Sequence, residues 1–154
     1  MSNMNNQRAS TLIEVLVAIS VIVVVLTAIS AMMSMSIKLA DNNEKKQLAL
    51  QKAEEAMEFF RKERSINSWH GFSNPLEDEA RYCISSLPES VASLSAKLGA
   101  CAETDVLEAA RYKFKREAVI NFTGENNLSV QINLLWNDGN QAQNLSLEQS
   151  FENY

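Results

Sequence analysis

Glu14 is the residue whose type and position most constrain what this chain can do. It is the third residue of an otherwise uncharged stretch running from Leu12 to Ile37. An ionised side chain at bilayer depth costs roughly 2.5–3.5 kcal/mol on insertion scales, so it needs a partner or a function. No Lys, Arg or His follows it before Lys38, so a cationic partner must lie upstream, elsewhere in the chain, or on another molecule. The remaining candidate chemistry is sparse. Cys83 and Cys101 form an even set in the polar part of the chain. If that part is exported, a disulfide closing the intervening segment is the default reading, contributing about 3 kcal/mol through loop closure. Two unpaired buried thiols in a reducing compartment are the other reading. With one His and no CxxC, no metal site is expected, and no GxSxG, Walker loop, GxGxxG or HExxH motif is present. His70, in Trp69-His70-Gly71-Phe72, lacks partners at ligand spacing. Neither an enzyme nor a cofactor is expected.

The elements that must position Glu14 are legible from periodicity. Val15–Ile37 is apolar all round, and its 23 residues would extend about 35 Å as a helix. That is enough to cross a hydrocarbon core of roughly 30 Å with some tilt. The β-branched run Val21–Val25 forms helix poorly in water, but in lipid a helix is the only single-segment way to satisfy the backbone. Arg8 places the N-terminus inside, while Lys38, Lys45 and Lys46 compete on the other flank. From Lys38 to about Arg64 there is neither Gly nor Pro. Leu50, Ala53, Met57 and Phe60 recur at spacings of 3, 4 and 3, predicting one apolar stripe on an amphipathic continuation of the same helix.

Breakers in Ser65–Pro75 end that helix, and Glu77–Leu98 reads as one or two short helices interrupted at Pro88. The C-terminal third changes period. Tyr112, Phe114, Ala118, Ile120 and Phe122 share one face of a first strand. Leu128, Val130, Ile132, Leu134 and Trp136 alternate in a second, and Leu145, Leu147 and Phe151 mark a third. Thr123–Asn126 and Asn137–Asn140 supply the turns. The expectation is an α+β chain in which a long helix covers an antiparallel sheet of about three strands. Its segments are residues 1–9, a polar leader; 10–37, the spanning half of the helix; 38–66, the amphipathic half; 67–110, a connecting region holding the cysteines; and 111–154, the sheet.

The N-terminus inverts the order of a secretory signal: a short polar leader, a small residue, then Ser10-Thr11-Leu12-Ile13-Glu14-Val15-Leu16-Val17-Ala18-Ile19. Here the chain resembles the type IV pilin superfamily, which includes minor pilins and type II secretion pseudopilins. The resemblance extends to the plan of spanning helix, amphipathic half, connecting loop and antiparallel sheet. It implies cleavage by a prepilin peptidase between Ala9 and Ser10, N-methylation of Ser10, and a Glu14 that pairs in a filament with the amine of an adjacent subunit and so sets axial register. The implied partners are other pilin subunits, an assembly platform and its ATPase. The implied location is the inner membrane as a single-pass precursor, then an extracytoplasmic filament. Three residues depart from the common pattern: Ala9 where Gly is usual, Ser10 where Phe or Met is common, and Ala31 where many major pilins carry Pro. The last fits a minor subunit, with a secretion or competence pseudopilin as the alternative within the class. A bitopic anchor displaying a small binding domain that never polymerises is the alternative outside it.

The net charge of −5 argues against nucleic-acid binding as a bulk property. Arg111, Lys113 and Lys115 nevertheless share the solvent-facing side of the first strand, with Arg116 beside them. That pattern is open to two readings, a DNA contact or a solvated strand face whose lysines guard a sheet edge. Asn121-Phe122-Thr123, Asn127-Leu128-Ser129 and Asn144-Leu145-Ser146 match the glycosylation sequon, a triplet permissive enough to arise by chance.

Overall fold

The computed structural model describes residues 4–139 and 141–153, with side chains described from Leu12 onward. The cleavage expected between Ala9 and Ser10, the methylation of Ser10 and the charge of Arg8 therefore lie outside the described side chains. The chain falls into two compact units, up to Asn43 and from Glu44 onward.

The first unit is helical. Helix α1 spans Met4–Ile66, and its apolar part buries nothing within this chain. Ile29, the least exposed large apolar side chain between Leu12 and Leu39, still shows 48% of its surface. Mean hydropathy reaches 3.0 in the most apolar window, which is long and apolar enough to cross a membrane. The hydroxyls within this run fold back on the helix. Ser20 donates to the Val17 carbonyl at 2.7 Å, Thr27 to Val24 at 2.9 Å, Ser30 to Leu26 at 2.9 Å and Ser34 to Ser30 at 3.1 Å. These four hydroxyls are thus satisfied locally, as a lipid surrounding demands.

The second unit is an α+β domain in which the later part of α1 packs on an antiparallel sheet. After α1 come a short helix α2 (Trp69–Ser73), strand β1 (Arg81–Cys83), a 3₁₀ helix (Val91–Lys97), β2 (Leu107–Ala109), β3 (Tyr112–Gly124), β4 (Asn127–Asp138) and β5 (Gln141–Glu152). The sheet order is β1-β3-β4-β5, with β2 also paired to β3. Two hairpins generate the three long strands. The β3–β4 register runs from Lys115↔Leu135 to Gly124↔Asn127 with an irregularity near Gly124, and β4–β5 runs unbroken from Asn127↔Glu152 to Asp138↔Gln141. Gly139, at φ +62°, occupies a left-handed turn position that Gly adopts at no steric cost.

The sheet therefore has five strands where about three were expected, and β1 is the first correction to the connecting region. Arg81–Cys83 reads as helix locally, yet it pairs antiparallel with Val119, Ala118 and Glu117 and buries Tyr82 completely. Such short strands are specified by a distant partner rather than by their own period. The same holds for β2, whose Leu107 lies opposite Phe114. Only the Val91–Lys97 part of the expected helical stretch is helical, and it contributes Val91 and Leu94 to the core.

The core-facing stripe of α1 also differs by one position at its start. Ala49, Ala53, Ala56, Met57 and Phe60 are fully buried, whereas Leu50 is 42% exposed. Small Ala side chains allow the helix to approach the sheet closely. At the end of the stripe stands a carboxylate: Glu63 is buried and accepts the Val91 N–H at 2.7 Å, capping the 3₁₀ helix from across the core. The hydroxyl of Tyr82 accepts the Glu77 N–H at 2.9 Å, and burial raises its pKa above the ordinary tyrosine value.

Arg116, beside the three cations in sequence, lies on the other face of the strand. It follows the parity of Phe114 and Ala118, so its side chain enters the core and only 1% of it is exposed. Its Nε donates to the Ile84 carbonyl at 2.9 Å and its Nη1 to the Lys52 carbonyl at 2.9 Å, with Glu55 4.0 Å away. One guanidinium thus ties β3 to α1 and to the chain after β1. Its desolvation depresses its pKa, which Glu55 partly offsets. Replacing Arg116 by Ala leaves two carbonyls without this donor and opens a cavity. We expect a loss of about 3 kcal/mol or more in chemical denaturation, and a loss under 1 kcal/mol, on the order of a surface substitution, would show that the contacts do not hold the layers together.

Candidate functional site

Two places bring together groups that could act on a partner. The first is the N-terminal helical unit, where Glu14 stands exposed among exposed Val, Leu and Ile side chains. Among the described residues nothing pairs with its carboxylate. An exposed carboxylate on such a helix can pair with a cation supplied by another molecule.

The second place is an open groove of about 720 Å³ in the α+β domain, lined among others by Lys45, Arg111, Lys115, Leu135, Trp136 and Gln143. Here the three cations of β3 and its approach meet carboxylates supplied by other segments. Arg111 contacts Glu44 at 2.9 Å, Lys113 contacts Glu108 at 3.5 Å, and Lys115 contacts Glu103 at 2.7 Å. Lys115 holds the Glu103 carboxyl below the usual carboxylate range, by hydrogen bond first and by charge second. Tyr112 completes the arrangement: its hydroxyl accepts from Arg111 Nε at 2.8 Å and donates to Glu44 at 3.1 Å. Lys45, 2.6 Å from Asp138, lies over the same ring. The cluster latches helix to sheet, and its charges are locally balanced. A phosphate backbone would have to displace these carboxylates, so the arrangement weakens the DNA-contact reading of Arg111, Lys113 and Lys115 and favours a solvated, cross-linked face.

Cys83 and Cys101 are joined by a disulfide. The returning chain is held twice more beside it. The Cys101 N–H donates to buried Glu117 at 2.9 Å, and Arg81 approaches the other oxygen of that carboxylate at 3.6 Å. Pairing of Tyr82 with Leu98 and an N–H···O bond from Gly99 to Arg81 close the outer side of β1. Among the described residues no group of three or more His, Cys, Asp or Glu could hold a metal ion. His70 lies exposed on α2.

The sequence separation of 18 between the cysteines sets the size of the closed loop. Replacing both by Ser should lower stability by about 3 kcal/mol, read as a shift in denaturation midpoint that reductant no longer changes. An unchanged midpoint would mean that Glu117 and the β1 pairing suffice to hold this segment.

Residues 4–30 match a family model described as the prokaryotic N-terminal methylation motif, the signature of the type IV pilin family. The motif implies processing by a prepilin peptidase and assembly into pilus-like polymers, and pilin-like proteins are non-enzymatic in general. Comparison with curated proteins and with solved structures found no match.

Proposed function

We propose that this chain, which carries the type IV pilin signature at its N-terminus, is a minor pilin or pseudopilin: a subunit made as a membrane-anchored precursor, trimmed, and incorporated into a filament through its apolar helix. The observation that carries this reading is a lone carboxylate at Glu14, unpaired among the described residues and inside the signature, on a stretch of helix that is long and apolar enough to cross a membrane and buries nothing within its own chain. Apolar surface of this extent needs lipid or neighbouring subunits to cover it.

In this reading a prepilin peptidase cuts between Ala9 and Ser10. The cut removes Arg8 with the leader and creates an ammonium at Ser10, which methylation leaves charged. Glu14 then stands about one helical turn from that amine. In the filament its carboxylate pairs with the Ser10 amine of an adjacent subunit, and packing of Val, Ile, Leu and Ala surfaces supplies most of the association. A buried pair of this kind adds little net stability, but leaving one charge unpaired costs about 3–5 kcal/mol. Subunits out of register are thereby rejected. The minor role is supported by Ala31, where helix α1 continues without the Pro of many major pilins. A type II secretion or competence pseudopilin would use the same chemistry. A bitopic anchor displaying a binding domain would use neither the cut nor the pairing.

Mass analysis of the membrane-extracted protein tests the first step: the expected species starts at methylated Ser10, and an intact Met1 terminus as the sole form overturns the reading. The second step is tested by Glu14→Ala. Membrane insertion and processing should persist, while the fraction of subunit recovered in sheared filaments falls roughly tenfold or more. Normal incorporation of the Ala variant would remove Glu14 from the register role.

A further inference from the structure

Strand β5 ends the sheet on the side away from β1, and among the described residues nothing pairs with its outer edge. Which of its residues face outward follows from one hydrogen bond. The Asn153 N–H donates to the Asn126 carbonyl at 2.9 Å, toward β4. In a strand, neighbouring residues aim their backbone groups to opposite sides. Because the β4–β5 register is unbroken, Ala142, Asn144, Ser146, Glu148, Ser150 and Glu152 all aim N–H and C=O at the free edge. One of these carbonyls is already in use: Arg64 Nη2 donates to Glu152 O at 2.9 Å, which marks where the open edge stops.

This edge lacks the devices that usually keep such edges apart. It is 12 residues long, its pairing with β4 has no bulge, and it contains no Pro, Lys or Arg. The opposite side of the sheet is different, with a three-residue β1 sealed by Leu98, Gly99 and the disulfide. The only charges on β5 are Glu148 and Glu152, both exposed and neither with a cationic partner among the described residues.

We propose that the outer edge of β5 is a docking edge for an extended segment of a different polypeptide, one that carries Lys or Arg at the alternate positions lying beside Glu148 and Glu152. Main-chain hydrogen bonds would supply the attachment and the two carboxylates the choice of partner. Excluding a second copy rests on the filament reading. Subunits of a filament share one polarity, whereas pairing two β5 edges about a two-fold axis reverses one of them. Head-to-tail pairing onto β1 is blocked as well, because that strand is closed by Leu98, Gly99 and the disulfide, and β2 beside it is only three residues long.

The test uses the full chain in detergent micelles and two synthetic twelve-residue peptides, one alternating Thr with Lys and one alternating Thr with Glu. Amide hydrogen exchange is followed residue by residue. The Lys peptide should slow exchange at Asn144, Ser146, Glu148 and Ser150, and the Glu peptide should not. Asn144→Pro combined with Ser150→Pro removes two outward N–H groups while leaving the ladder to β4 intact. It should weaken binding of the Lys peptide roughly tenfold or more with little change in thermal midpoint. Protection elsewhere, equal protection by both peptides, or unimpaired binding of the double Pro variant overturns the proposal. Protection of β5 that rises with protein concentration alone also overturns it, by assigning the edge to a second copy. The Glu14→Ala chain should bind the Lys peptide unchanged, so failure of filament incorporation and failure of docking are read separately.

Discussion

The α+β domain depends on one burial. Three long strands joined by tight turns present an apolar face made of Phe114, Ala118, Ile120, Leu128, Val130, Ile132 and Leu134, and a sheet of that kind needs a cover. The later part of α1 provides it with a stripe of Ala49, Ala53, Ala56, Met57 and Phe60. Three alanines among five contacts bring helix and sheet backbones close. That closeness is what allows Arg116, rising from the sheet, to reach the Lys52 carbonyl on the helix, and Glu63, on the helix, to reach the Val91 amide in the connecting segment. The polar ties are consequences of the apolar contact. Each is a buried group that would be costly alone and is satisfied because the layers have already met.

Much of this is legible in the amino-acid sequence. The alternation in β4 is clean because one face is buried along its whole length, and the Asn137–Gly139 turn fixes its register with β5. What was not readable has a common cause. A charged residue at a core parity, such as Arg116, does not announce in sequence the Lys52 and Ile84 carbonyls that satisfy it. Strands of three residues, such as β1 and β2, carry too little pattern to declare themselves. Leu50 fits the apolar spacing with Ala53, Met57 and Phe60, although it is the neighbouring small Ala49 that is buried under the helix. Each miss is a decision made by a segment far away in sequence.

The two candidate sites divide in the same way. Glu14 was legible because its anomaly is local: one acid in an apolar run. The cations Arg111, Lys113 and Lys115 were half legible. Their side chains cluster on one side of the first strand as the alternation implies, but Glu44, Glu108 and Glu103 come from three different segments and neutralise them in place. Spacing along a strand reports which charges are neighbours, and only the fold reports which are already balanced.

The back-bonded hydroxyls of Ser20, Thr27, Ser30 and Ser34 carry a consequence for how the apolar helix meets its neighbours. With those donors spent inside the helix, contacts along this stretch are dispersion contacts, which have no preferred direction and vary smoothly as one helix slides or rolls on another. Such a surface is a lubricated one. It offers little direction of its own to a neighbouring surface, and the one ionised group of the stretch stands at its start.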